Sequence, residues 1–213
     1  MIKAPKPTIE PQRQSAGKPA GFSLIELLVS MSITLLILGV AVATFSAALG
    51  RREREASRTD ALTSAQAALN IMSREIGNSG YGLINNGLVL SDCTEKRVHF
   101  RSNIVNTGNS MSTDSPGEDV TFYYDSVSQS VVRYDAIGGT SGVINRVSDV
   151  DFIYYNYSLN GTATAGAATA STGRVNIKLT VIMADVRQQP TNQTVTLTSD
   201  VTLRNSPYML GQY

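Results

Sequence analysis

The chain has 213 residues, with 18 Lys and Arg against 17 Asp and Glu and a formal net charge of +1. That length holds one ordinary domain with extensions and excludes two large ones. The balance of charge excludes the basic or acidic excess that marks an obligate nucleic-acid partner, and the single cysteine, Cys93, excludes an intramolecular disulfide.

Residues 1–21 read as a tail. They hold four prolines and the cations Lys3, Lys6, Arg13 and Lys18 against Glu10 alone, with almost nothing apolar to bury. Without them the remaining chain is mildly acidic, 14 basic residues against 16 acidic, since 4 of 18 and 1 of 17 are removed. From Leu27 to Leu49 there are then 23 residues without a charge, enough to cross a bilayer as a helix. A secretory signal peptide has a shorter apolar core of about 7–15 residues and a small-residue cleavage site beyond it, which this run lacks. Glu26 breaks the pattern of a plain anchor, because a carboxylate at the edge of an apolar span is costly and calls for a partner.

The stretch Gly21-Phe22-Ser23-Leu24-Ile25-Glu26-Leu27-Leu28, within GFSLIELLVSMSI, resembles the cleavage and methylation motif of type IV prepilins and type II secretion pseudopilins. The resemblance covers roughly residues 17–50 and is specific, because Gly, Phe and Glu all fall in register. It implies that a prepilin peptidase and methyltransferase cuts between Gly21 and Phe22 on the cytoplasmic face and methylates the new N-terminus at Phe22. Glycine at position 21 offers the protease a backbone with no side chain to clash. The resemblance also implies that Glu26 pairs with the N-terminus of a neighbouring subunit and so sets the register of assembly, with other pilin subunits, an inner-membrane assembly platform and membrane lipid as partners. Basic residues flank the span evenly, with Arg51, Arg52, Arg54 and Arg58 on the far side, so charge alone does not orient it. The leader is placed in the cytoplasm because the motif requires it.

Residues 51–60 are charged but contain neither Gly nor Pro, so the helix is expected to continue. Leu62, Ala65, Leu69, Met72 and Ile76 recur at spacings of three and four, one face of a helix, with Thr63, Gln66, Asn70 and Arg74 on other faces. Gly77, Asn78 and Gly80 supply a stop. A straight helix from Phe22 to Ile76 would be about 80 Å long. Many major pilins carry a proline about twenty residues after the cut; this span has none, and Gly39 and Gly50 are its only breakers.

Beyond Gly82 the texture changes to short alternating strands separated by turn residues. Strands are expected at 96–100, at 119–125 and 130–135 as a hairpin, at 143–147, and at 150–157. The clearest alternate Val175, Ile177, Leu179 and Val181 with polar residues, and Val195, Leu197, Val201 and Leu203 with Thr196, Thr198, Asp200 and Thr202. The fold class is therefore α+β, a long N-terminal helix packed against an antiparallel sheet head. The low-complexity stretch at 160–172 is expected to be a mobile surface loop. Val147 to Phe152 with Tyr154-Tyr155, and the closing Val201 to Asn205, resemble the minor pilins of the PilW type, loosely.

No enzyme signature emerges. His99, the only histidine, sits in a strand pattern, and Cys93 has no histidine near it in sequence, so both read as structural groups. Asp114, Glu118 and Asp119 around Pro116-Gly117 lack the ligand spacing of a calcium loop and read as a solvated turn. Tyr123, Tyr124, Tyr154, Tyr155 and Tyr157 are expected to divide between core and surface, and Arg133, Arg146 and Arg174 are too scattered to form a nucleic-acid stripe beside them; nucleic-acid binding stands unproven. Neither a metal nor another cofactor is called for. The sequence thus divides into a leader (1–21), a transmembrane and polymerisation helix (22–50), its amphipathic continuation (51–77) and a β-rich head (78–213). The expected role is a minor pilin, held in the inner membrane and then carried to the pilus, that primes assembly or decorates the filament in motility, adhesion or DNA uptake. The alternatives are a type II secretion pseudopilin and, from another class, an uncleaved membrane-anchored receptor or adhesin.

Overall fold

The computed structural model describes residues 21–105, 111–158, 160–186 and 190–211; all of the leader except Gly21 lies outside them. One long helix, α1 (Leu24–Ile76), is followed by eight strands and a short helix. The chain divides into two units between Ala48 and Leu49, and α1 contributes to both.

In the first unit α1 is apolar all round. Its most apolar 18-residue window has a mean hydropathy of 2.4 and no buried residue, and the helix is long and apolar enough to cross a membrane. Its few hydroxyls are satisfied within the helix: Ser32 donates to the Leu28 carbonyl at 2.8 Å, Thr34 to Ser30 at 2.7 Å and Thr44 to Val40 at 3.0 Å. Such internal bonds let Ser and Thr sit in an apolar medium without orphaned polar groups.

In the second unit α1 becomes one-sided. Ala61, Ala65, Ala68, Leu69, Met72 and Ile76 are buried, whereas Thr63, Gln66, Asn70 and Arg74 are exposed, as the three-and-four spacing predicts. The three alanines place only a methyl group between helix backbone and head. The helix stops at Ile76 because the chain turns sharply: Gly80 and Gly87 both have positive φ, and their backbones pack against each other so closely that a Cβ on Gly87 would lie 2.1 Å from the Gly80 nitrogen.

The head has two four-stranded antiparallel sheets where the sequence suggested one. The first has the order β1 (Arg97–Arg101), β2 (Asp119–Asp125), β3 (Ser130–Asp135), β4 (Gly139–Asn145); the second runs β6 (Ala163–Gly166), β5 (Val147–Tyr157), β7 (Thr172–Ile182), β8 (Thr194–Thr202). The expected hairpin is β2–β3, with Val120 opposite Asp135 and Asp125 opposite Ser130. A single core joins the buried face of α1 to Val98, Phe100, Val120 and Phe122 of the first sheet and Val150, Phe152, Val175, Ile177 and Leu179 of the second. Each such buried side chain contributes roughly 1.5–3 kcal/mol. The α+β class is as expected.

The turn before β1 stitches the sheets together. Tyr124 N–H donates to the Lys96 carbonyl at 3.0 Å and Phe152 N–H to Glu95 at 2.7 Å. Tyr154, buried in the second sheet, donates its hydroxyl to the Arg97 carbonyl at 2.6 Å. The stretch at 160–172 is not simply a loop: β6 lies within it and pairs with Tyr154–Tyr157 of β5. Its side chains are exposed and small, so the alternation that reveals a strand is absent. Backbone hydrogen bonding to β5 alone places it there.

Candidate functional site

The start of α1 follows from a short local pattern. Ser23 followed three residues later by Glu26, just before an apolar run, is the signature of a capping box. Accordingly Leu27 N–H donates to the Ser23 carbonyl at 3.1 Å, closing the first helical turn. The Glu26 carboxylate folds back to accept the Ser23 N–H at 3.0 Å. Its negative charge also lies at the positive end of the helix dipole. The sequence reading singled out Glu26 but missed Ser23 as its local partner, although the spacing was there to be read.

Gly21 and Phe22 precede the helix, are exposed, and Phe22 is 86 % exposed. The peptide bond between them therefore lies outside the helix. Cutting there would leave an ammonium on Phe22, one residue before the amide that Glu26 already holds. The three residues named from the sequence thus share one short segment at the exposed end of an apolar helix.

The prokaryotic N-terminal methylation motif matches residues 17–42. The chain carries this motif at the start of its apolar helix. The matched stretch spans the cleavage candidates, Glu26 and much of the apolar helix. It supports a type IV pilin-like or pseudopilin protein, and it implies processing by a prepilin peptidase and assembly with other pilins. Comparison with curated proteins and with solved structures gives no match.

The head's polar groups are mostly occupied with one another. His99 is wedged between two carboxylates, its Nδ1 at 2.9 Å from Asp92 and its Nε2 at 2.5 Å from Asp119. Asp119 also takes Arg101 Nε at 2.9 Å. Cys93 is half-buried and donates weakly to the His99 carbonyl at 3.4 Å; burial pushes its thiol pKa up, the wrong direction for a nucleophile. Of the acidic turn, Asp114 is exposed as expected, but Asp119 is half-buried and Glu118 is not solvated. Glu118 is 1 % exposed and accepts the amides of Val105 at 2.8 Å and Ser115 at 3.0 Å, so its oxygens serve the backbone. Among the tyrosines Tyr154 is buried and the other four are half-buried, Tyr155 beneath the Arg174 guanidinium at 4.0 Å.

Two buried or half-buried centres escaped the sequence reading. Arg133 links Glu75 of α1, at 2.8 Å, to Asp135 at 3.3 Å. Asp135, 2 % exposed, also accepts the amides of Gly117, Ile137 and Gly138. Asn86 donates to the carbonyls of Thr169 at 2.9 Å and Thr172 at 3.2 Å, tying the turn after α1 to the start of β7. A cleft of about 640 Å³ lies beside β5 and β6, lined in part by Cys93, Glu95, Asp151 and Tyr154. Burial pushes the Tyr154 hydroxyl far above its usual pKa, which leaves it a hydrogen-bond donor.

Proposed function

We propose that the protein is a structural subunit of a type IV pilus, a minor pilin rather than an enzyme, which primes assembly or decorates the filament. In this reading residues 1–21 are a leader, cut between Gly21 and Phe22, and Phe22 is then N-methylated. Residues 22–50 anchor the chain in the inner membrane and later bundle with other pilins, residues 51–77 continue the helix onto the head, and residues 78–213 form the head. The loose likeness of 147–155 and 201–205 to PilW-type minor pilins favours a minor subunit. The assembly platform and membrane lipid are further partners.

The observation that carries the reading is the methylation motif over residues 17–42, set on an exposed apolar helix that begins two residues after the cleavage candidates. Glu26 supplies the register in this scheme. An unpaired carboxylate is costly once the helix enters an apolar bundle, and the ammonium of a neighbouring Phe22 relieves that cost. Its bond to Ser23 holds the carboxylate at the helix end where that ammonium would arrive.

The mass of the N-terminal peptide from sheared filaments tests this. A peptide beginning at methylated Phe22 in the sheared fraction supports the proposal, and one retaining Lys18 leaves an uncut anchor in its place. The same motif serves a type II secretion pseudopilin, so loss of protein secretion rather than of pili on deletion would move the assignment to that system.

A further inference from the structure

Asparagine followed by glycine occurs at Asn86-Gly87 and at Asn160-Gly161, and the structure treats the two pairs differently. The sequence matters chemically, because the backbone nitrogen after an asparagine can attack the side-chain amide carbon, and glycine leaves that nitrogen unshielded. Asn86 is 2 % exposed. Its Nδ2 donates to the carbonyls of Thr169, Ala170 and Thr172, and its Oδ1 accepts the Leu88 N–H at 3.2 Å. Gly87 N–H donates to the Asn85 Oδ1 at 2.9 Å. Amide carbon, leaving group and nucleophile are all held in place there, away from water.

Asn160 and Gly161 lie in the turn that joins β5 to β6, where Ser158, Asn160, Gly161 and Thr162 are all exposed. Gly161 has a φ of 83°, which a residue with a side chain disfavours, so the turn itself calls for glycine. Asn160 Oδ1 accepts the Thr162 N–H at 3.1 Å and the Ser158 hydroxyl, whose proton is shared with the Thr162 carbonyl. Both donors face the oxygen that takes negative charge when the amide carbon is attacked, and so favour that step. Asn160 Nδ2 has no partner among the described residues. Gly161 N–H donates to the Ser158 carbonyl at 2.9 Å, a bond in an exposed turn that opens readily to solvent.

We propose that Asn160-Gly161 is a self-modifying site that ages to isoaspartate and thereby loosens β6. The Gly161 nitrogen gives its proton to hydroxide and bonds to Asn160 Cγ. The Cγ–Nδ2 bond breaks, and Nδ2 takes a proton from water and leaves as ammonia. Water then opens the cyclic imide: cleavage between Cγ and the nitrogen gives aspartate, and cleavage between the backbone carbonyl carbon and the nitrogen gives isoaspartate. Isoaspartate carries the chain through Cβ and Cγ, which lengthens the turn and adds a carboxylate. Strand β6 has small exposed side chains and is held by its backbone pairing, which begins with Tyr157 opposite Ala163. A longer turn disturbs the register on which that pairing depends. The step stands apart from the pilus assignment.

The test holds the full chain in detergent in mildly alkaline buffer, beside the same chain unfolded in urea. Peptide mass spectrometry with electron-transfer fragmentation follows both asparagines and separates isoaspartate from aspartate. In the folded chain Asn160 should convert at least about tenfold faster than Asn86, which must first open its turn. In urea both should convert. Hydrogen exchange on the aged protein should show the amides of β6 less protected and those of β7 unchanged. Gly161→Ala, which shields the attacking nitrogen, should slow conversion at Asn160, while an intact Asn86 reports that the variant is folded. Retention of the Asn160 amide in the folded chain while the unfolded chain converts overturns the inference. So does aspartate as the sole product, which marks direct hydrolysis by water, and so does isoaspartate formed with β6 still fully protected.

Discussion

Glu26 caps α1 and, in the proposed assembly, also pairs with a neighbour's N-terminus; Glu26→Gln separates the two. In the structure its carboxylate accepts the Ser23 N–H at 3.0 Å, a capping contact whose loss costs about 1 kcal/mol. Gln retains an oxygen in the same place and serves equally in a capping box, so the start of α1 should survive the change. What Gln lacks is charge. If Glu26 neutralises the Phe22 ammonium of a neighbour inside an apolar bundle, breaking that pair costs about 3–5 kcal/mol per subunit. Filament incorporation should then fall by at least about a hundredfold. The assay is quantitative immunodetection of the protein in sheared and cell-bound fractions, with the N-terminal mass measured in both. The expected result is normal cleavage at Phe22, normal helix content in detergent and almost no protein in the sheared fraction. Incorporation at parental levels would refute the charge-pairing argument and leave Glu26 as a helix cap.

Two further predictions concern the head. Gly87→Ala and Gly117→Ala both place a side chain at positive φ, 76° and 89°, but only at Gly87 does the new Cβ meet fixed backbone, 2.1 Å from Gly80 N and 2.4 Å from the Arg101 carbonyl oxygen. Gly117→Ala should cost about 1–2 kcal/mol and Gly87→Ala about 3–5 kcal/mol once overpacking is added; urea unfolding of the full chain in detergent, followed by near-ultraviolet tyrosine signal, measures both, and equal costs would refute the close approach. At Asp135 burial pushes the carboxyl up, but the amides of Gly138, Ile137 and Gly117 and the Arg133 guanidinium outweigh it and hold the pKa below 3.8. Its folded value lies below its unfolded one, so its stabilisation is complete above about pH 4 and is lost as pH falls through the folded value. Asp135→Asn should remove about 2 kcal/mol at neutral pH and flatten the acid limb of the stability curve, and an unchanged acid limb would count against this account.

How much of this was legible in the sequence depended on range. The stripe through Leu62, Ala65, Leu69, Met72 and Ile76 and the alternation through Val175, Ile177, Leu179 and Val181 are local periodicities, and the structure buries all of them except Leu62, which is half-buried. The bounds 119–125 and 130–135 also hold, because strong alternation meets clear turn residues there. The division into two sheets was not legible, since it rests on contacts such as Phe152 N–H to Glu95, far apart in the chain. Strand β6 was hidden because Ala, Thr and Gly give no alternating pattern. The burial of Glu118 and Asp135 was hidden for a related reason: an acidic residue near Pro and Gly reads as solvated unless the amides that converge on it are known.

The charges of α1 and of the head follow different rules, and the difference bears on what assembles the protein. In the head, carboxylates and cations meet within the chain, as in Asp92–His99–Asp119–Arg101 and Glu75–Arg133–Asp135. Along the exposed helix, Glu26 meets only a neighbouring amide, and the charges at 51–60 meet no opposite charge among the described residues. Exposed charge pairs in water contribute about 0–1 kcal/mol each, too little to hold copies together against the entropy of association. A Glu26–ammonium pair enclosed by apolar helices works at lower dielectric, where the same charges interact several times more strongly. In the proposed assembly the affinity would therefore come from the apolar helix and Glu26 rather than from the exposed charges at 51–60. On that division, neutralising the exposed charges at 51–60 should leave the amount of assembly intact, whereas Glu26→Gln should abolish it.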